Sequence, residues 1–325
     1  MLTGKKFFVT GATGRLGCET VLRLEELGAT VVPLVLPGYP FDPRRVDWKA
    51  GSKPIRVYNV KDVDALVDPH YVINFHWKVN RALSFSDQLY FEIGNNIQYL
   101  SFLWEWLADK DIARFINISS IRVFSRLNTN PISSETEPRP ITPYGIAKLT
   151  AERFFDAFFA ETGWPVVHLR LCSVASFGEH PSHLMSRLYS SAFENVEFIL
   201  NTGHTCTVIY IDEIVDLIIN AALSADSSRY IITTEPVTTD LLSAAFENHS
   251  GKKINALCKD LQPGIPDQVF VSDRKRLQSP WTRSSSLESM INNYIDTSKN
   301  GFAKLTACTK PVKKNLLEGY HARNT

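Results

Sequence analysis

Three glycines spaced three apart, Gly11-Ala-Thr-Gly14-Arg-Leu-Gly17, restrict this chain more than any other feature of its sequence. The run before them, residues 5–10 (KKFFVT), reads as a short buried strand. The stretch after them, residues 18–27 (CETVLRLEEL), carries apolar residues at helical spacing and stops at Gly28, a C-terminal cap. A chain that turns so tightly from strand to helix needs glycine's conformational freedom, and its bare backbone lets an anion approach the amides of the helix N-terminus. A glycine triplet alone is weak. The strand before and the helix after supply the context that favours a pyrophosphate-binding turn over a purely structural one.

Further strands are expected at residues 29–36, 55–60, 70–75, 114–118 and 166–171, with helical patterns between them. The two strongest helices fall at 91–109 and 143–162, each rich in aromatic residues on one side. Alternating strands and helices predict an α/β fold, a parallel sheet with helices on both faces. Beyond residue 171 the pattern loosens into short segments at 208–223, 230–233, 239–250 and 287–294, separated by Pro, Gly and Ser. The expected organisation is a first domain over 1–170, a smaller lobe over 171–300 partly interleaved with it, and a partly ordered, lysine-bearing tail over 301–325.

With Lys+Arg at 35 against Asp+Glu at 34, the net charge of +1 argues for neither a nucleic-acid nor a membrane-surface partner. The five cysteines are odd in number, scattered, and lack metal-type spacing. They read as reduced thiols of a cytoplasmic protein without a metal site. The opening MLTGKKFFVTGATG leaves no room for a signal peptide, and no apolar run approaches ~20 residues, so no membrane span is expected.

Tyr144-Gly-Ile-Ala-Lys148 carries the candidate chemistry. On a helix this spacing places phenol and ammonium on one face, about one turn apart. A tyrosine of pKa about 10 is a poor proton shuttle near neutrality, and a neighbouring cation favours its phenolate. The pair is therefore a candidate general acid/base, against the plainer alternative of two solvated helix residues. Ser119-Ser120 follows the strand at 114–118, and Ser120 precedes Phe124 by four residues in SSIRVF. A strand-end hydroxyl that caps backbone is the plainer alternative there.

Together the GxxGxxG turn, SSIRVF (like the SSxxVY of a known family), YxxxK and the strand order resemble the extended short-chain dehydrogenase/reductase family, the NAD-dependent epimerase/dehydratase group, over roughly residues 5–295. The resemblance implies a Rossmann-type doubly wound parallel sheet with a smaller C-terminal substrate-binding lobe, and a homodimer formed through the helices near 91–109 and 143–160. It implies that Ser120 hydrogen-bonds the reacting oxygen, Tyr144 gives and takes the proton, and Lys148 both tunes Tyr144 and holds the nicotinamide ribose. Gly11, Thr13, Gly14, Arg15, Leu16 and Gly17 would cradle the cofactor, Phe75, His76 and Trp77 would lie along it, and Asn59 and Val60 would sit beside the adenine. Leu171, Cys172 and Ser173 would flank the nicotinamide end. Tyr210-Ile211-Asp212-Glu213 matches a motif that closes the substrate lobe.

Departures from the family pattern shape the rest. Leu34-Val35-Leu36 stands where NAD-binding members carry an acid for the ribose hydroxyls, which removes repulsion against a 2′-phosphate. With Arg15, Arg44 or Arg45 as sources of positive charge, NADP is favoured over NAD. Asn59 replaces the usual acid at the adenine and still hydrogen-bonds an amino group. His76 and Trp77 replace small residues that pass under the cofactor; His76 is read as a packed histidine ahead of a catalytic base. Of the arginines that hold a nucleotide sugar's diphosphate, one position falls near Cys206 and the other in 262–267 (QPGIPD), which has none. Arg187, Arg122, Arg126 or Arg274 would have to substitute.

The expected function is an NAD(P)-dependent enzyme that oxidises or reduces a secondary alcohol or ketone on a sugar, first of all a nucleotide sugar; these residues do not separate epimerase from 4-keto-reductase. A dehydrogenase of a free sugar, sugar acid or small alcohol is the alternative that the missing arginines favour. A nicotinamide-sensing binding protein is the alternative of another class, disfavoured because Ser120, Tyr144 and Lys148 are all present.

Overall fold

The computed structural model describes residues 2–35, 55–56, 68–80, 83–226, 228–260 and 268–308, with backbone alone at 55–56, 260 and 301–308. In chain order, β1 (Lys6–Thr10), α1 (Arg15–Glu26), β2 (Thr30–Val35), β3 (Ile55–Arg56) and β4 (Tyr71–Asn74) come first. Next are α2 (Phe85–Glu92), α3 (Gln98–Leu107), β5 (Arg114–Ser120), α4 (Pro143–Thr162) and β6 (Val166–Leu171). Then follow β7 (Ser173–Ala175), α5 (Leu184–Glu194), β8 (Phe198–Thr202), β9 (Thr205–Cys206), β10 (Val208–Tyr210) and α6 (Ile211–Ser224). The last are β11 (Arg229–Ile232), β12 (Val237–Thr238), α7 (Thr239–Ser250), β13 (Ala256–Asp260) and α8 (Leu287–Cys308).

Seven strands form one sheet in the order β11-β6-β5-β4-β1-β2-β3, and every neighbouring pair is parallel. This is the doubly wound Rossmann arrangement, with its order reversing between β1 and β4. In such sheets ligands bind in the crevice beyond the carboxyl ends of the two strands at the reversal, here Thr10 and Asn74. Three two-stranded pairs, β7 with β10, β8 with β13, and β9 with β12, lie outside the main sheet.

Side chains alternate across the sheet with period two, and each face buries its own core. Phe7, Val9, Ile73, Ile116 and Val167 face α1 and α6, whose Val21, Leu24, Ile214 and Ile218 meet them. Phe8, Val72, Phe115 and Val166, one register row, face Leu103 and Trp106 of α3 and Phe155 and Phe158 of α4.

Two residues further along the same face the row turns polar. Thr10, Asn74, Asn117, His168 and Arg229 are register partners across β1, β4, β5, β6 and β11. Thr10 Oγ1 donates to Asn74 Oδ1 at 2.6 Å, Asn74 Nδ2 to Asn117 Oδ1 at 3.4 Å, and Asn117 Nδ2 to His168 Nδ1 at 3.2 Å. His168 Nε2 lies 3.0 Å from Asp156 Oδ1 of α4, and Asp156 also binds Arg229. Every link of this buried chain has a partner, as burial of polar groups demands.

Helix α4 matches this gradient from apolar to polar. Lys148, Glu152 and Asp156, four residues apart, form a charged stripe directed at the sheet. Lys148 Nζ donates to the Ile118 carbonyl at 2.9 Å. Glu152 takes Arg170 through two bonds of 3.1 and 2.8 Å and the Ser119 hydroxyl at 2.5 Å. Burial pushes the Glu152 carboxyl up, but Arg170, His168 and Ser119 outweigh it and hold the group below its usual range. The helix starts where Thr142 Oγ1 accepts the Gly145 amide, with Pro143 in its first turn, and ends at Gly163, whose φ of +75° is left-handed.

Some expectations shift in detail. The helix expected at 91–109 begins at Phe85, capped by Ser84, and is split by a π turn at Ile93–Ile97, where the Asn95 side chain bonds the Phe91 carbonyl. Residues 208–223 divide into β10 and α6, and the segment expected at 287–294 opens a helix that runs to Cys308. Of the strand expected at 55–60, only Ile55–Arg56 lies within the described residues, and positions 309–325 of the expected tail lie outside them. Cys18 and Cys172 are buried and Cys258 exposed, and these three and Cys206 are free thiols.

Two outcomes follow. Glu152→Ala strands the buried Arg170 guanidinium and lowers stability by about 3–5 kcal/mol, read as a lower urea midpoint. A Cβ at Gly145 would stand 2.2 Å from the Arg122 carbonyl oxygen, so Gly145→Ala pushes the first turn of α4 off the segment after β5 and costs about 1–3 kcal/mol.

Candidate active site

The glycine turn closes directly on the end of β4. Gly11 has a φ of +62°, and a Cβ there would lie 2.9 Å from the His76 amide nitrogen and from the Phe75 carbonyl carbon. Gly14 caps α1 without a side-chain bond, and the first helical turn carries no acid. The first bond of that helix runs from the Cys18 amide to the Gly14 carbonyl at 2.8 Å, so the amides of Arg15, Leu16 and Gly17 precede the ladder. Gly17 is in the helix, where a Cβ would meet the Gly11 carbonyl oxygen at 2.3 Å. An uncapped helix N-terminus without negative charge, opening into the crevice at the sheet's reversal, fits the pyrophosphate of a dinucleotide.

Around the turn, Phe75 N donates to the Thr10 carbonyl at 3.2 Å and His76 N to Thr10 Oγ1 at 3.4 Å, so the polar row also fixes this segment. Arg15 binds the Ser176 hydroxyl just after β7. Leu34 and Val35, at the end of β2, are buried. Asn59, Val60, Arg44, Arg45 and the arginine-free stretch 262–267 lie outside the described residues.

Across the crevice, the first turns of α4 lie against the carboxyl end of β5. Tyr144 is half-buried and Lys148 is 4 % exposed, with Nζ 5.8 Å from the centroid of the Tyr144 ring. Ser120 is the last residue of β5; its Oγ accepts the Arg122 amide at 3.2 Å and caps the 3₁₀ turn Ile121–Val123. Ser120 pairs in register with Leu171 of β6, and the exposed Ser173 opens β7 just beyond. Burial pushes the Lys148 ammonium down to about 7, against the opposing pull of Glu92 and Glu152. A lysine poised near neutrality on the same helix face as a phenol can modulate the phenol's proton affinity.

The two bulky residues after β4 do different things. His76 is buried, with its ring 4.0 Å from that of Tyr99, and burial holds its imidazole neutral, down to about 3. Trp77 lies in the crevice: the Lys148 Nζ is 3.7 Å from its ring centroid, and its edge meets Tyr144 at 6.2 Å and 86°. One side of the Lys148 ammonium is therefore covered by an indole. The glycine turn fits the pyrophosphate end of a dinucleotide as it stands.

The YIDE segment is structural here. Tyr210 ends β10 with its hydroxyl 2.9 Å from Thr297 of α8, while Glu213, buried in α6, takes the Ser285 amide at 3.0 Å and pairs with Arg274 at 3.3 Å. Sequence reasoning missed Glu92, Asn96, Glu152 and Arg170, all buried beside the site. For Glu152 the signal was present, an acid one turn after Lys148 on a face otherwise apolar. Among the described residues no group of three or more His, Cys, Asp or Glu side chains is placed to hold a metal ion, and no helix is long and apolar enough to cross a membrane.

His76 gives a pH signature. Its folded pKa of about 3 lies below the ordinary 6.5, so between those values the unfolded chain holds a proton that the native state lacks. Stability from this site falls as pH drops below 6.5. His76→Asn reduces the loss of unfolding free energy between about pH 7 and 4.5 by about 2 kcal/mol, measured by denaturant titration at both pH values.

Comparison with known proteins places the chain. The sequence model of the NAD dependent epimerase/dehydratase family matches residues 7–232. The chain is 26% identical to UDP-glucose 4-epimerase 4 of Oryza sativa subsp. japonica over 92% of each sequence. Its fold is similar to that of the UDP-glucose 4-epimerase of Thermotoga maritima solved with UDP-glucose, at a TM-score of 0.74 and 19% identity over 91% of this chain and 99% of that one. It is equally similar to the UDP-glucose 4-epimerase of Bifidobacterium longum solved with NAD+ and UDP, at 0.74 and 19% over 91% and 98%. The matched family model spans the glycine turn, Ser120, Tyr144 and Lys148, and the chain belongs to the NAD dependent epimerase/dehydratase family.

Proposed function

We propose that this chain is a nucleotide-sugar epimerase or a close mechanistic relative, acting on a secondary alcohol or ketone of the sugar with Tyr144 as the acid/base. The observation that carries the reading is the convergence, at the sheet's reversal, of an uncapped glycine turn from one side and the Tyr144 and Lys148 face of α4 from the other.

A bound nicotinamide would supply the reversible oxidation of the sugar carbon. Gly11, Thr13, Gly14, Arg15, Leu16 and Gly17 would hold the dinucleotide through backbone amides. Phe75 and His76 would line its path, Leu171 and Ser173 would border the nicotinamide end, and Asn59 and Val60 the adenine. Tyr144 takes the proton of the reacting hydroxyl as phenolate and returns it as phenol, while Ser120 donates to the same oxygen. Lys148 in its charged form favours the phenolate. The segments from 171 to 300 outside the main sheet would form the substrate lobe.

For the cofactor we propose NAD, since Arg15 is engaged with Ser176 and a structural relative was solved with NAD+. NADP is the second reading, favoured by the absence of an acid at Leu34-Val35-Leu36. A non-nucleotide sugar or small alcohol gains support from Arg274, which is already paired with Glu213 and so is not spare for a diphosphate. A catalytically silent NAD(P)-sensing protein gains support from the indole over Lys148. We further propose a cytoplasmic homodimer built on the helices near 91–109 and 143–160, where Ile93 and Phe159 are exposed at 52 and 49%.

Tyr144→Phe separates enzyme from sensor. Turnover of UDP-glucose or a related nucleotide sugar falls by about 10²–10⁴-fold while the dissociation constant for the dinucleotide stays within a few fold. Unchanged turnover removes Tyr144 from the chemistry. Denaturing the purified protein and identifying any released nucleotide decides the cofactor: NAD is expected, and NADP would overturn that choice.

A further inference from the structure

Trp77 does more than fill space beside Tyr144 and Lys148. It is half-buried against the apolar cluster that holds Leu103, Phe115 and Phe155, yet its indole nitrogen makes no hydrogen bond of good geometry. The ring is therefore placed by its backbone and by what its face and edge meet. That backbone is fixed on both sides. Before it, the His76 amide donates to Thr10 Oγ1 at 3.4 Å, and the His76 ring lies 4.0 Å from that of Tyr99. After it, the Lys78 amide donates to Asn96 Oδ1 at 2.7 Å, and the Lys78 carbonyl accepts from Asn96 Nδ2 at 2.9 Å. Asn96 belongs to the π turn Ile93–Ile97 and is itself held by Glu92, whose Oε2 accepts from Nδ2 at 2.6 Å. The π turn, a device that recurs at functional sites, here latches the segment that carries the indole.

The ammonium beside that indole has few other contacts. Lys148 is 4% exposed, and among the described residues its Nζ makes one hydrogen bond, to the Ile118 carbonyl at 2.9 Å. The Trp77 ring centroid is 3.7 Å from Nζ and the Tyr144 ring centroid 5.8 Å. The two rings stand at 86° with centroids 6.2 Å apart, so indole, phenol and ammonium form one cluster.

The charged groups around Lys148 leave it without a free carboxylate in contact. On α4, Glu152 lies one turn further along but is taken by Arg170 of β6 and by Ser119. On α2, Glu92 is bonded to Asn96, and burial pushes its carboxyl up towards the neutral form. The segment after β4 brings His76, which burial holds neutral, and the cation Lys78. From β5 come the Ile118 carbonyl and the uncharged Ser119 and Ser120. A desolvated ammonium in such surroundings needs another source of negative potential, and an indole face is the strongest that a neutral side chain offers.

We propose that Trp77 is the positioning residue of the acid/base pair, its indole face holding the Lys148 ammonium charged and in place beside the Tyr144 ring. The catalytic part rests on Tyr144 and Lys148 as the pair proposed above; the cation–π part stands without it. With the indole in place Lys148 keeps its proton to higher pH and favours the Tyr144 phenolate. Without it, Lys148 loses that proton at lower pH and Tyr144 keeps its own to higher pH.

The ¹³C and ¹H resonances of the Lys148 ε-methylene in the full chain, assigned by their loss in Lys148→Met, test this without turnover. An indole face at this distance moves the ε protons upfield of an ordinary lysine, and Trp77→Leu removes that displacement. The titration midpoint of the same resonances moves down by about one pH unit in Trp77→Leu, and Trp77→Phe, which keeps an aromatic face, recovers part of it. A ring-fluorinated tryptophan placed at position 77 alone keeps the shape while draining electron density from the face. It also moves the midpoint down, so the proposal can be refuted even where Trp77→Leu does not fold. Wild-type ε protons at ordinary positions, or a midpoint unmoved by fluorination, overturns it. In turnover, the acid limb of the kcat/KM profile for alcohol oxidation moves up in the fluorinated protein, whereas a ring that merely packs leaves the limb in place. An unmoved midpoint with turnover still dependent on Tyr144 sinks the role of Trp77 alone; a moved midpoint with Tyr144→Phe indifferent sinks the acid/base reading alone.

Discussion

The charged stripe of α4, set against a polar row of the sheet, is the constraint on which the site depends. Lys148, Glu152 and Asp156 each find a partner on the same sheet face, at Ile118, at Ser119 and Arg170, and at His168. Turning the helix by one residue would take all three from these partners, leaving Arg170 and Lys148 as unpaired buried charges. Each such charge costs several kcal/mol, more than the hydrophobic contacts of one helix turn can offset. The rotation of α4, and with it the direction of Tyr144, is therefore fixed by electrostatics rather than by ridge-and-groove packing alone.

The two halves of the crevice are held together by close backbone approaches at glycine. On one side Gly17 lets α1 come against the Gly11 carbonyl; on the other, Gly145 lets α4 come against the Arg122 carbonyl. A methyl group at either place would stand well inside contact distance of a peptide oxygen. Between them the polar row runs from Thr10, one residue before the glycine turn, to Asp156, two turns along α4 from Lys148. A continuous set of hydrogen bonds thus connects the turn to α4, with no loop in the path.

Much of this was legible in the sequence, and the physical reasons are specific. The strands at 6–10 and 166–171 are mainly apolar runs bounded by turn residues, and α4 carries Pro at its start and Gly at its end, so their limits were readable within a residue. The break at Ile93–Ile97 was not, because it depends on Asn96 reaching Lys78, a contact between segments that no local pattern encodes. The helix at Leu184–Glu194 had apolar residues at the right spacing in Met185, Leu188 and Tyr189, but the Pro, Ser and Gly around it masked the period. At the site, motif spacing pointed to Ser120, Tyr144 and Lys148. It gave no hint of Glu92 or of Arg170, whose roles come from what lies opposite them after folding.

Trp77 shows why motif and geometry have to be weighed together. A small residue after β4 leaves Lys148 open to solvent or to ribose hydroxyls, whereas an indole at this position supplies a cation–π contact worth about 2 kcal/mol when desolvated. Any group that approaches Lys148 from that side must first displace that contact. The pyrophosphate cradle is unaffected, since its amides belong to the opposite wall. The glycine turn and the indole thus belong to opposite walls of the crevice, the first open at its amides and the second packed on an ammonium.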